Sequence, residues 1–186
     1  MNFLYEKDNH FNIANIVTYL NISCGIFAIY FLTHNNFLIS AIFAWSAGIF
    51  DIFDGKIARK YNLCTQFGVQ LDSFADFLSF VIVPCMFIYF SIIESQSENI
   101  NLILIAAIFI YYVISALRRL ISFNIDNSKE NINIKYFVGV PTPLGAILLW
   151  LLYLIYLTNI LNIYVVLIAI IYIAYLLNSK LKIPHL

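Results

Sequence analysis

Asp51, Asp54, Asp72 and Asp76 fall within a stretch of 26 residues that is otherwise apolar enough to lie in lipid. A carboxylate at membrane depth costs about 2.5–3.5 kcal/mol on insertion scales, so four in one place call for a compensating cation. Oxygen-only ligands suit a hard divalent ion, Mg2+ or Mn2+, better than zinc. Four acids on two facing helices are enough for two such ions. Acids inside membranes also line the proton and cation pathways of transporters, and the four carboxylates alone leave both readings open.

The residues between the acids favour a ligand with phosphates. Gly55 follows Asp54, Ala58 and Arg59 come one helical turn later, and Gly68 precedes Asp72 by one turn. Glycine and alanine remove bulk where a flat or charged ligand must approach the backbone. Arg59 offers a planar donor fork that matches phosphate oxygens. A diphosphate bridged by metal ions, with its nucleotide over the small residues, uses all of these, whereas an ion pathway explains none of the glycines. Thr18 and Asn21 share one face of the first apolar segment. An amide in lipid needs a partner, which diphosphate contact and interhelical hydrogen bonding would each supply.

The elements that must carry these residues are membrane helices. Of 186 residues, 62% are hydrophobic and 11% are charged, against a soluble norm of about 25% charged. A net charge of +0 gives no surplus of Lys and Arg for a nucleic-acid partner. Cys24, Cys64 and Cys85 are widely spaced, and read as small buried hydrophobes rather than a disulfide framework or a thiolate metal site. The first apolar run is too long for a signal-peptide core and has no small-residue cleavage pattern, so it is expected to stay as a transmembrane helix.

Apolar stretches of spanning length predict an all-α bundle of six transmembrane helices, near 13–32, 37–59, 66–93, 100–124, 141–158 and 160–178, forming a single membrane domain over 1–186. If the spans alternate sides, Lys7, Lys56, Arg59, Lys60, Arg118, Arg119, Lys129, Lys135, Lys180 and Lys182 share one side, while the other holds His34, Glu94 and Glu98. The positive-inside rule then puts both termini in the cytoplasm. Asp51 and Asp54, and likewise Asp72 and Asp76, each lie on one helix face. A tight turn with Asn62 and Thr65 as cap candidates brings both pairs to one depth at the cytoplasmic side. Ala44, Ala47 and Gly48 suit close helix packing. His34 and His185 sit at or beyond helix ends and are not expected to be ligands. The 13 Tyr and 17 Phe residues read as an interfacial aromatic belt.

From Asp51-Ile52-Phe53-Asp54-Gly55-Lys56-Ile57-Ala58-Arg59, through Gly68, to Asp72 and Asp76, the chain resembles the signature of the CDP-alcohol phosphotransferase family at every fixed position and spacing. Four aspartates at preset offsets would arise by chance on the order of once in a million starting points. The resemblance implies a six-helix membrane enzyme, commonly a homodimer, that transfers a substituted phosphate from a CDP-linked donor to an alcohol and releases CMP. It also implies that Asp51, Asp54, Asp72 and Asp76 hold two divalent cations and that Asp76 takes the proton of the attacking hydroxyl. Asp51, Asp54, Gly55, Ala58, Arg59 and Gly68 would line the cytidine and diphosphate pocket, with Thr18 and Asn21 as further diphosphate candidates.

Thr18, Asn21 and Cys24-Gly25, then Ala116-Leu117-Arg118 with Phe123-Asn124, and Phe137-Val138-Gly139-Val140-Pro141-Thr142-Pro143 are similar to the phosphatidylserine synthase branch. That likeness implies CDP-diacylglycerol, or an archaeal ether analogue, as donor and L-serine as acceptor. Glycerol 3-phosphate or an inositol acceptor is the alternative within the family, and a cation transporter the alternative outside it. The branch sets two arginines three residues apart, whereas Arg118 and Arg119 are adjacent here and point about 100° from one another. Arg118 and Arg119 are the acceptor-binding candidates, with Arg118 expected to face inward and pair with a serine carboxylate or a donor phosphate. Two arginines snorkelling from a helix end toward lipid phosphates is the competing reading. Pro141 and Pro143 are expected in the first turn of the fifth helix, with Gly139 loosening the approach as part of a lid over the acceptor.

Overall fold

Asparagine punctuates this chain. Asn35, Asn62 and Asn159 take φ values of 58°, 55° and 56°, the left-handed conformation that asparagine tolerates better than other side chains bearing a Cβ. Each follows an apolar helix and turns the chain into the next one. The computed structural model describes residues 3–7, 9–94, 101–128, 136–138, 140–179 and 182–184. Glu98, Lys129, Lys135, Gly139, Lys180 and His185 lie outside the described residues.

The chain divides into two compact units, Met1–Val83 and Pro84–Leu186. The first contains α1 (Ile13–Thr33), α2 (Phe37–Lys60) and α3 (Gln66–Asp76), followed without a break by a π-helical turn, Phe77–Ile82. Asn12 caps α1, its Oδ1 accepting from the Asn15 amide at 3.0 Å. Thr65 caps α3, its Oγ1 accepting from the Gly68 amide at 3.0 Å. Both satisfy backbone donors that a helix start leaves orphaned. α1 and α2 pack closely through Ala28, Ala44 and Ala47, and the Ser40 hydroxyl donates to the Ala28 carbonyl at 2.5 Å. Gly25 lets the π-helical turn approach α1: a Cβ there would stand 2.9 Å from Leu78 Cδ2. Of the small residues expected to serve packing, Ala44 and Ala47 are buried, while Gly48 is half-buried and a Cβ there would meet Phe80 at an ordinary contact distance.

In the second unit, α4 (Val83–Glu94) completes the third apolar run and is followed by α5 (Leu102–Ser128), α6 (Thr142–Leu157) and α7 (Ile163–Leu177). Phe87, Trp150 and Tyr153 form a ring cluster with centroids 4.6–5.8 Å apart. Asn178 Nδ2 donates to the Ser115 carbonyl at 3.1 Å and ties the end of α7 to α5. Pro141 is the N-cap of α6 and Pro143 lies in its first turn, as proline's fixed φ favours.

The helical architecture is as the sequence predicts, and among the described residues apolar helix overlaps each expected stretch. Among the described residues four helical stretches, Ile13–Thr33, Phe37–Lys60, Gln66–Ile93 and Leu102–Ile125, are long and apolar enough to cross a membrane. α6 and α7 have 16 and 15 residues. At 1.5 Å per residue they reach about 24 and 23 Å, short of a hydrocarbon core of roughly 30 Å. The sequence reading also did not anticipate an antiparallel pair of three-residue strands, β1 (Tyr136–Val138) and β2 (Lys182–Pro184), with Phe137 opposite Ile183. Exposed Leu38, Ile42, Trp45, Ile49 and Ile52 run along one face of α2, a stripe suited to lipid rather than water.

Candidate active site

The site is assembled in the first unit from α1, α2 and α3. The turn between α2 and α3 sets the C-terminal part of α2 beside α3, and three predicted acids converge there. Asp51, Asp72 and Asp76 each offer an oxygen within 4.8 Å of the others. At that separation two charged carboxylates repel by about 3–4 kcal/mol for an effective dielectric near 20, so the arrangement calls for a cation or a shared proton. Asp51 and Asp76 are close enough for their side chains to contact directly.

Asp54 stands apart from that cluster. It is 4% exposed, and its Oδ2 is buried with no hydrogen-bond partner among the described residues. The Thr18 side chain and the Gly55 backbone amide adjoin the same carboxylate. A buried carboxylate oxygen without a donor is costly. Such an oxygen beside three converging acids, with oxygen donors only, fits Mg2+ or Mn2+. The structure thus brings together three of the four expected metal ligands directly and sets the fourth in the adjoining wall.

That wall belongs to a cavity of about 320 Å³. Thr18, Asp54, Gly55, Ala58, Arg59 and Gly68, all expected at the nucleotide and diphosphate pocket, line it together with Asp72. Thr18 Oγ1 also donates to the Ala14 carbonyl at 3.2 Å. Gly55 keeps the wall low: a Cβ there would meet nothing nearer than Arg59 Nη2 at 3.7 Å. Gly68 is more closely confined: its Cβ would stand 3.1 Å from Asn15 Oδ1 and 3.3 Å from Thr65 Oγ1.

Two expected pocket residues lie outside the cavity lining. Asp51 belongs to the acid cluster. Asn21 is fully buried, and it satisfies its amide by interhelical bonds, accepting from Ser79 Oγ at 2.6 Å and donating to Asp51 Oδ1 at 3.4 Å. Sequence reasoning missed Asn15 and Cys64, which also line the cavity. Asn15 precedes Thr18 by one helical turn on the face already singled out, and that spacing was the available signal. A smaller hollow of about 180 Å³, lined by Lys7, Asn9, His10 and Phe67, shares Asn15 and Thr65 with the first.

The arginine expectation is reversed. Arg119, not Arg118, is the buried one, at 7% exposed, and its Nε donates to the Val140 carbonyl at 3.2 Å. Arg118 is exposed. The buried face of α5 holds Ser115, Ala116 and Leu120, and Arg119 shares their side while Leu117 and Arg118 do not. Cys85 is buried as expected, while Cys24 is intermediate and Cys64 exposed. His34 caps the end of α1, its Nδ1 2.8 Å from the Tyr30 carbonyl.

A family model described as CDP-alcohol phosphatidyltransferase matches residues 11–177. A CDP-diacylglycerol--serine O-phosphatidyltransferase of Bacillus subtilis (strain 168) is 33% identical over 134 residues, covering 72% of this chain and 71% of the relative. One of the same name from Methanocaldococcus jannaschii is 37% identical over 137 residues, 74% of this chain and 58% of the relative. Another from Helicobacter pylori (strain 26695) is 30% identical over 138 residues, 74% of this chain and 55% of the relative. The chain therefore spans less than two thirds of the length of the second and third of these relatives.

Proposed function

This chain belongs to the CDP-alcohol phosphatidyltransferase family, and from that premise we propose that it transfers a phosphatidyl group from CDP-diacylglycerol to the hydroxyl of L-serine, forming phosphatidylserine and CMP. The observation that carries the proposal is the cavity wall, where Thr18, Asp54, Gly55, Ala58, Arg59 and Gly68 meet beside the cluster of Asp51, Asp72 and Asp76. The serine acceptor is supported by relatives whose names specify it.

Asp51, Asp54, Asp72 and Asp76 would hold two divalent cations, Mg2+ or Mn2+, which when bound neutralise charge on the diphosphate and the departing CMP. The low wall at Gly55, Ala58 and Gly68 admits the nucleotide to the backbone, and Arg59 offers its guanidinium to phosphate oxygens. Asp76 accepts the proton of the serine hydroxyl as that oxygen attacks phosphorus. The new P–O bond forms as the bond to the CMP oxygen breaks, with geometry and electrostatics supplying most of the acceleration. The transfer needs no redox partner.

The enzyme works as a multi-pass protein of the cytoplasmic membrane, with six spans, both termini and the active site at the cytoplasmic face, and two copies forming a dimer. The distribution of Lys and Arg supports that orientation, and a lipid-linked donor reaches the site from the bilayer. To test acceptor and donor together, purified protein in Mn2+ and CDP-diacylglycerol is given serine, glycerol 3-phosphate, inositol or inositol phosphate, and CMP is counted. Serine should dominate; dominance of another acceptor would overturn the serine assignment.

A further inference from the structure

We propose that Ser79 and Asn21 are positioning residues that set the Asp51 carboxylate for divalent-cation binding, with Ser79 acting through the Asn21 amide. The inference rests on the reading of Asp51, Asp72 and Asp76 as the cation centre. Neither residue lines the cavity, and both are buried, Asn21 completely and Ser79 at 5% exposed.

The chemistry lies in the asymmetry of the amide. Its oxygen accepts the Ser79 hydroxyl at 2.6 Å, which leaves the NH2 group facing Asp51 Oδ1 at 3.4 Å. Turned the other way, the amide oxygen would oppose a carboxylate oxygen. The acceptor-only carboxylate of Asp51 selects the amide orientation, and the Ser79 hydroxyl, donating to the amide oxygen, anchors it there and leaves the remaining lone pairs of that carboxylate for a cation. Partners of this kind behind a metal-ligating group fix its direction, and their loss typically costs 10–100-fold in metal affinity or activity.

The fold is built locally to bring the three groups together. The π-helical turn Phe77–Ile82 begins directly after Asp76, and such turns often occur at functional sites because they re-aim side chains. Gly25, one turn beyond Asn21 on α1, lets that turn approach: a Cβ at Gly25 would meet Leu78 Cγ at 3.0 Å and Ser79 Oγ at 3.4 Å. Asn21 and Gly25 thus act on the same turn, one bonding Ser79 and the other making room for the neighbouring Leu78.

The test is Mn2+ binding to the purified full chain, read from loss of the free-ion EPR signal, with a melting curve on every variant. Ser79→Ala and Asn21→Ala should each raise the apparent Kd for Mn2+ about tenfold or more. The double variant should bind no more weakly than Asn21→Ala alone, because Ser79 acts through Asn21. Ser79→Thr, which keeps the hydroxyl, should restore wild-type affinity. Wild-type Kd in Ser79→Ala, even with a lower melting temperature, would overturn the proposal, as would additive losses or a Ser79→Thr variant as weak as Ser79→Ala. A wild-type protein that binds no Mn2+ would instead remove the cation centre itself, and the positioning role with it.

Discussion

Gly55→Ala separates a glycine kept for a ligand from one kept for the fold. Gly55 sits inside α2 and in the cavity wall. A Cβ added there meets only Arg59 Nη2, at an ordinary contact distance of 3.7 Å, so alanine fits without displacing anything. Replacing a helix-interior glycine by alanine gains about 0.8–1.0 kcal/mol of helix propensity, which for a chain of this size raises the melting temperature by about 2–4 °C. The fold therefore has no use for glycine at this position. If a nucleotide diphosphate approaches the backbone there, the added methyl group should cost about 1–3 kcal/mol of donor binding, or 10–200-fold in specificity. The assay combines a melting curve with initial rates of CMP release against CDP-diacylglycerol at saturating serine and Mn2+. The variant should be at least as stable as wild type, with a donor KM raised tenfold or more and a serine KM little changed. An unchanged donor KM would refute the reasoning. Gly68→Ala is less diagnostic, because its Cβ already crowds Asn15 and the Thr65 cap.

Cys64 is exposed and lines the cavity while Cys85 is buried, so a maleimide should label Cys64 first, and CDP-diacylglycerol with Mn2+ should slow that labelling; unprotected labelling would place the nucleotide elsewhere. Arg119→Ala should destabilise the protein by about 1.5–3 kcal/mol in thermal unfolding, the range for a buried hydrogen bond from a charged group, whereas Arg118→Ala should stay within about 0.5 kcal/mol. Equal effects would contradict the burial of Arg119. In a cysteine-free background, single cysteines at positions 7 and 182 should label from one side of the membrane and one at position 97 from the other; any other pattern breaks the six-span topology.

The site was legible where its logic is local. Asp51, Asp54, Gly55, Ala58 and Arg59 lie on one helix, and the turn that brings α3 beside them contains a readable cap at Thr65. Helical periodicity therefore sets Asp51, Asp72 and Asp76 near one another and the small residues along the cavity wall, with Asp54 outside that cluster. It failed where the backbone leaves the α-helical period. The turn Phe77–Ile82 has i→i+5 geometry that no apolar pattern announces, so Ser79 could not be aimed at Asn21 in advance. Pro84, just beyond, has no N–H to give a carbonyl four residues back, and a proline ring in an α-helix clashes with that carbonyl, a constraint a wider turn relieves. The phase of α5 failed for a different reason. Two adjacent arginines point about 100° apart, and the expectation for Arg118 goes with the Ala116-Leu117-Arg118 likeness, in a chain that displaces the second arginine of that pattern.

The most direct test of the cation and diphosphate site is anomalous scattering from crystals grown with Mn2+ and CDP-diacylglycerol. Manganese peaks among the oxygens of Asp51, Asp72 and Asp76 and at Asp54 Oδ2, bridged to a diphosphate over Gly55, are the predicted result. Saturating ligand and metal with no peak at those carboxylates would contradict it.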